Sequence, residues 1–354
     1  MPWAKKNGML KSHISSAKAT KYPLKHDHNE RRLQLEKWLS DLYPGQSYSL
    51  SPASADASFR RYFRVAFSDH TLVAMDAPPE HEDCKPFIRV AGLMAKAGLH
   101  VPVIHAQDLA GGFLILSDLG RVTYLEALDA NNADRLFGDA IDALLLWQKA
   151  SVGDVLPPYD RTLLRRELEL FPDWYLRRHL GLEPDPDQRK MLDAMFGLII
   201  ANNLAQPRVF VHRDFMPRNL MVCEPNPGVL DFQDAVYGPI TYDVASLFKD
   251  AFISWEEARV LDWSVRYWEK ARSAGLPVAA DFADFYRDFE WMGLQRHLKV
   301  LGIFARICHR DGKPDYVKDT PRFLRYVRAV AERYTTLAPL RRLLDQIEKQ
   351  SADQ

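Results

Sequence analysis

Cysteine is scarce. The three thiols among 354 residues, Cys84, Cys223 and Cys308, stand far apart, odd in number and without metal-ligand spacing. That pattern excludes a disulfide framework and fits a reducing cytoplasm. Long apolar runs are missing too: stretches such as Ala143–Trp147 and Leu198–Ala201 fall far short of the roughly 20 residues a membrane span needs. The first 26 residues hold six lysines and no acid, but they lack the continuous apolar segment of a secretory signal. Residues 1–28 read as a flexible basic extension. Nor is there an excess of charge of one sign. Lys plus Arg equals Asp plus Glu at 47 each, so no global field favours nucleic acid or an anionic membrane surface. Repeats and low-complexity segments are absent, and 47% hydrophobic residues is the composition of a chain that folds around a sizeable core.

Periodicity divides that chain unevenly. Leu33, Leu35, Trp38, Leu39 and Leu42 recur at helical spacing, so an amphipathic helix opens the folded part. Residues 59–67 and 71–75 are short runs rich in aromatic and β-branched side chains separated by Ser-Asp-His, the pattern of a hairpin. A helix is expected over 84–97, closed by Gly98, and two further strands over 101–104 and 113–116. After Gly120 the pattern turns helical except between Arg208 and Asp231, where three short β-like pieces are joined by polar loops. The organisation expected is α+β and two-lobed: a β-rich lobe over 29–120 and a larger, mainly helical lobe over 121–354. The cleft between them is the default ligand site.

The chemistry concentrates in that interruption. Val211-His212-Arg213-Asp214-Phe215-Met216-Pro217-Arg218-Asn219 matches the catalytic-loop pattern H-R-D, four residues, Asn. Asp214 is suited to accept or orient a substrate hydroxyl, and Asn219 to offer a neutral oxygen to magnesium. His212 and Arg213 brace the loop. Twelve residues on, Val229-Leu230-Asp231-Phe232-Gln233 ends a short strand in an acid, with Gln233 where a kinase keeps glycine. Magnesium takes hard oxygen ligands, commonly one or two carboxylates plus nucleotide phosphates, and Asp231 answers to that. An Asp243 at a helix start is favourable through capping and the helix dipole.

With these residues in view, the chain resembles the aminoglycoside and choline kinase-like phosphotransferases over about residues 30–330. Within that group it is most similar to the anomeric kinases that phosphorylate N-acetylmuramate and N-acetylglucosamine at the C1 hydroxyl. That narrower likeness is carried by Asp56–Arg64, Met75–Glu80, Leu230–Ala235 and Gln295–Lys299. The resemblance implies a two-lobed protein-kinase-like fold, ATP and Mg2+ as cofactors, and a small-molecule sugar acceptor in cell-wall sugar recycling. It implies no nucleic acid, membrane or obligate protein partner. Asp56–Arg61 would be the turn covering the nucleotide, with Ser58, Arg60 and Arg61 supplying donors and charge because the turn holds no glycine. Ser117 and Leu119 would meet adenine at the hinge. For the acceptor, Asp234, Trp174, Tyr175 and Arg296 are the candidates, and 18 Lys and Arg against 15 Asp and Glu over residues 251–354 favour a neutral or anionic one. A second reading keeps the same loops but takes choline, homoserine or an aminoglycoside; a third is an inactive nucleotide-binding module. One departure stands out. Where protein kinases end the third strand in a phosphate-pairing lysine, Val73-Ala74-Met75-Asp76 places an acid. Either the register differs, or Arg61, Arg64 or Arg89 supplies the charge.

Overall fold

The computed structural model describes residues 25–54 and 59–352. The expected extension, 1–28, therefore lies mostly outside the described residues, as does Ser58; the first helix, α1 (Lys25–Leu42), begins at Lys25.

Five antiparallel strands make the small lobe: β1 (Ser49–Ser54), β2 (Arg61–Ala66), β3 (Thr71–Asp76), β4 (Ile104–Asp108) and β5 (Phe113–Ser117), in the order β1-β2-β3-β5-β4, with α2 (Cys84–Lys96) crossing between β3 and β4. Strand β1 escapes a pattern reading because it is polar and carries Pro52. It is an edge strand whose register with β2 slips between Pro52 and Ser54, where a proline is tolerated. The strand expected at 101–104 begins instead at Ile104, since Pro102 has no N–H for a ladder. Gly98, at φ +90°, closes α2 as expected.

Alternation along the strands gives the sheet two unlike faces. Phe63 and Val65 of β2, Ala74 of β3 and Ile115 of β5 pack outward against Leu35 and Leu39 of α1. Tyr62, Val73, Met75, Leu114 and Leu116 face inward, toward α2 and the large lobe. This parity decides where every charged strand residue points.

The large lobe runs α3 (Tyr124–Ala127), α4 (Ala133–Lys149), α5 (Arg161–Leu168), a π-helical segment at Phe171–His179, α6 (Pro186–Ala205), four short strands β6 (Arg208–Val211), β7 (Leu220–Met221), β8 (Gly228–Val229) and β9 (Val236–Pro239), then α7 (Tyr242–Phe248), α8 (Glu257–Ser273), α9 (Phe282–Asp311), α10 (Thr320–Arg333) and α11 (Ala338–Ala352). Helix α9 is its central beam, with Phe289, Met292, Leu294, Leu298 and Leu301 buried. At Gly302 a Cβ would meet the Leu170 carbonyl at 2.3 Å, so only glycine lets α9 approach the chain after α5. Among the described residues no helix is long and apolar enough to cross a membrane.

Candidate active site

Strand pairing builds the site. β6 pairs with β9, and β7 with β8, so the loop leaving β6 and the loop leaving β8 emerge side by side. The Leu230 N–H donates to the Asn219 carbonyl at 2.9 Å, which locks the two loops together. Asn219 Nδ2 donates to the Asp214 carbonyl at 2.9 Å and reaches Asp231 Oδ2 at 3.3 Å. Asp214, Asn219 and Asp231 thus converge, as their spacing predicts.

The loop is held from behind. His212 is fully buried; its Nδ1 accepts from the Asp214 N–H at 3.2 Å and its Nε2 donates to the Leu230 carbonyl at 3.0 Å. Burial pushes its pKa down to about 4, so the ring is neutral near pH 7 and serves as a brace. Buried Asp243 accepts from the His212 N–H at 2.7 Å and the Arg213 N–H at 3.0 Å. Burial pushes its carboxyl up to about 7 against these donors and the Arg296 charge. Arg213 (φ +77°) and Asp231 (φ +62°) lie in the left-handed region, a strained backbone for non-glycine residues that clusters at functional sites.

Asp231 is oriented by more than Asn219. Gln233, at the position of the usual glycine, donates from Nε2 to Asp231 Oδ1 at 2.8 Å, and its own Oε1 is buried without a hydrogen-bond partner. Among the described residues no cluster of three or more His, Cys, Asp or Glu could hold a metal. The donor set is instead one carboxylate, one amide oxygen from Asn219 and an orphaned amide oxygen beside them. It fits a magnesium ion that brings phosphate and water as its remaining ligands.

A cleft of about 420 Å³ opens from this point to the hinge, lined on the hinge side by Ser117, Asp118, Leu119 and Gly120. Ser117 faces it, but its N–H donates to the Val103 carbonyl and its Oγ accepts from the Val103 N–H, both at 2.9 Å. Of the two hinge residues expected from sequence, Leu119 is the one without such a commitment to Val103. Arg64, which sequence left among several alternatives, also lines the cleft. It grips Asp118 at 2.5 and 3.0 Å and the Gly120 carbonyl at 2.7 Å.

Other expectations need correction. Asp76 does not face phosphate: it is fully buried on the outer face of the sheet, bonded to Arg31 of α1 (Nε 3.1 Å) and to Arg61 (Nε 2.9 Å). Arg61 is consequently turned away from the cleft by strand parity. Arg60 is absent from the cleft lining and pairs with Glu82 at 2.7 Å, and Arg89 donates to the Val155 carbonyl. Tyr175 is a core residue, 3% exposed and stacked on Phe171; Trp174 is half-buried beside it. Both belong to the π-helical segment that starts at Phe171 with Pro172 in its first turn. Arg296 is buried, donates to the Arg213 carbonyl at 3.0 Å and lies over the Tyr242 ring, so it supports the catalytic loop. Asp234 is exposed next to that loop, with Arg213 Nη1 3.4 Å from its carbonyl. Sequence reading missed the anchor of this region, buried Glu167, whose Oε1 receives Arg213 at 2.8 Å and Lys299 at 3.0 Å while Tyr159 donates to Oε2. No local signal marks it; Arg296 and Lys299 at i and i+3 on one face of α9 was the available clue.

A β-rich lobe closing on a helical lobe, with Asp214 on the loop after β6, an adjacent Asn219–Asp231 pair and a hinge-lined cleft, fits a phosphotransferase of protein-kinase-like fold. The chain belongs to the phosphotransferase enzyme family, whose model it matches over residues 49–282. It is 58% identical over 316 residues to an N-acetylmuramate/N-acetylglucosamine kinase of Pseudomonas aeruginosa, covering 88% of this chain and 94% of that one. To the protein of the same name from Neisseria meningitidis it is 50% identical over 320 residues, covering 89% and 95%. Among solved structures, a Plasmodium vivax ethanolamine kinase superposes with a TM-score of 0.57 at 12% identity, over 85% of this chain and 88% of that one. An aminoglycoside phosphotransferase in ternary complex with AMP-PNP and hygromycin B gives 0.56 at 16%, over 83% and 98%. At such identities these two likenesses speak to the fold alone.

Proposed function

We propose that the chain transfers the γ-phosphoryl group of ATP, with Mg2+, to the anomeric C1 hydroxyl of N-acetylmuramate and N-acetylglucosamine, acting in the cytoplasm to return cell-wall sugars to nucleotide-sugar synthesis. The observation that carries this is the 58% identity across 88% of the chain, supported by the convergence of Asp214, Asn219 and Asp231. Adenine would sit against Leu119 and the hinge, with the phosphates toward Asn219 and Asp231. Asn219 and Asp231 would hold the magnesium ion, which would supply positive charge to offset the negative charge that develops during transfer. The bond from the sugar C1 oxygen to the γ-phosphorus forms as the bond to the β–γ bridging oxygen breaks. The hydroxyl proton passes to the Asp214 carboxylate, and ADP leaves with the electron pair. An anomeric hydroxyl is more acidic than other sugar alcohols, so Asp214 works chiefly by orientation, as suits a reaction governed by positioning and electrostatics.

Phosphorus NMR of the product decides the reading. Each sugar incubated with the chain, ATP and Mg2+ should give a 1-phosphate, recognised by coupling of phosphorus to the C1 proton. Phosphate on another carbon, or turnover of choline or an aminoglycoside with neither amino sugar reacting, overturns the acceptor assignment.

A further inference from the structure

Protein kinases place a third-strand lysine, paired with a glutamate of the following helix, against the nucleotide phosphates. Both partners are absent here. β3 contains no lysine; its inward residues are Val73 and Met75, while Asp76 points outward to Arg31 and Arg61. α2, Cys-Lys-Pro-Phe-Ile-Arg-Val-Ala-Gly-Leu-Met-Ala-Lys, contains no acid. From it Phe87 lines the cleft and packs on Phe232 with ring centroids 4.8 Å apart. Among the described residues, what β3 and α2 contribute to the cleft, Val73 and Phe87, is therefore apolar, although a nucleoside triphosphate carries several negative charges.

Among the described residues, three cations line the cleft: Arg64, Arg121 and Arg218. Arg64 is fixed at the hinge by Asp118 and Gly120, and Arg121 follows Gly120 at the same end. Arg218 stands at the other end, next in the chain to Asn219 and on the same wall as Asp231. Its guanidinium lies over the Phe252 ring, 5.0 Å from the centroid, and Phe252 belongs to the segment between α7 and α8. The stacked plane fixes the direction of the donor fork, a geometry that lysine cannot reproduce.

We propose that Arg218 is the cation that meets the terminal phosphate of the bound nucleotide, supplying from the large lobe the charge that β3 lacks. This rests on the reading that ATP occupies the cleft. During transfer the equatorial oxygens of the phosphoryl group gain contacts from the Arg218 fork that no group on β3 offers, and removing such a donor costs on the order of 10²–10³ in rate.

The test uses Arg218→Met, which keeps length and removes charge, and Arg218→Lys, with a thermal melt of each. Binding of AMP-PNP and of AMP is measured without acceptor, then kcat/KM with both amino sugars. Arg218→Met should weaken AMP-PNP about 10-fold or more and leave AMP within about twofold. It should lower kcat/KM by about 10²–10³, by the same factor for both sugars, and Arg218→Lys should fall between. An unchanged AMP-PNP to AMP ratio overturns the proposal. So does a loss confined to N-acetylmuramate, which would put Arg218 on the lactyl carboxylate of that sugar. Should the unaltered chain phosphorylate neither sugar, the acceptor assignment fails, yet the binding ratio still decides the role of Arg218.

Discussion

Replacing Glu167 with glutamine changes almost no volume and removes one negative charge from beneath the catalytic loop. The carboxylate is 4% exposed and is shared by Arg213, Lys299 and the Tyr159 hydroxyl. Burial works to raise its pKa, but the Lys299 ammonium and the Arg213 guanidinium hold it below the usual glutamate range. The glutamine amide leaves two largely buried cations with a single neutral oxygen between them. Breaking a buried ion pair by removing one partner costs about 3–5 kcal/mol. Since one acceptor survives, about 3 kcal/mol is expected, which for a chain of this size lowers the melting temperature by about 4 °C. The sign with pH follows from the depressed pKa. Glu167 contributes its stability above the unfolded glutamate pKa of about 4.3 and loses it as pH falls through the lower folded value. The gap in melting temperature between parent and Glu167→Gln should therefore be full at pH 7 and narrow below about pH 4. Arg213, freed from its anchor, should also loosen Asp214, so kcat falls while nucleotide affinity holds. Adding Lys299→Met removes the surplus charge and should recover part of the loss, a coupling of about 1–3 kcal/mol. Scanning calorimetry across pH and steady-state kinetics check this. A drop under about 1 °C at pH 7, or no recovery in the double variant, would refute the reasoning.

Two further substitutions separate the outer face of the sheet from the proposed magnesium site. Asp231→Ala should abolish transfer across a magnesium titration with little change in the thermal melt, because Asp231 is only half-buried; full activity would remove it from the metal role. Asp76→Ala strips the shared acceptor from Arg31 and Arg61, so it should destabilise the small lobe by about 3–5 kcal/mol while nucleotide affinity changes less than about threefold. Loss of nucleotide binding in a variant that still melts as the parent does would mean that Asp76 reaches the phosphates.

The catalytic loop and the acid after β8 were legible because their chemistry is encoded at short range. Asp214, Asn219 and Asp231 sit within eighteen positions, and strand pairing of β7 with β8 does the rest. The acceptor side was not legible in the same way. Tyr175 and Arg296 carry the side chains a sugar site would use, but whether they face a pocket or a core depends on how the π-helical segment packs against α9, a contact across more than a hundred residues. Glu167 was invisible for the same reason: its partners Tyr159, Arg213 and Lys299 come from three separate parts of the chain. Strand β1 was missed for a local reason, since Pro52 and its serines show neither alternation nor β-branching.

Asp76 teaches something different about motif reading. A linear match to the third-strand lysine position asks which residue ends the strand, whereas the cleft asks which residues share the face of Val73. Parity gives Met75, not Asp76, and the acid belongs to a separate device that ties α1 to the sheet through Arg31 and Arg61. The loss of an inward lysine and the loss of any acid from α2 are then one change, because either charge alone would be buried beside Phe87 and Phe232 without a partner, at a cost of several kcal/mol. In kinases that pair couples helix position to activity. Here the corresponding contact is Phe87 on Phe232, an apolar joint between α2 and the loop after β8. The ionic network beside Asp214 lies in the large lobe, where Arg213 binds Glu167 and accepts from Arg296, Lys299 pairs with Glu167, and Asp243 holds the His212 and Arg213 N–H groups.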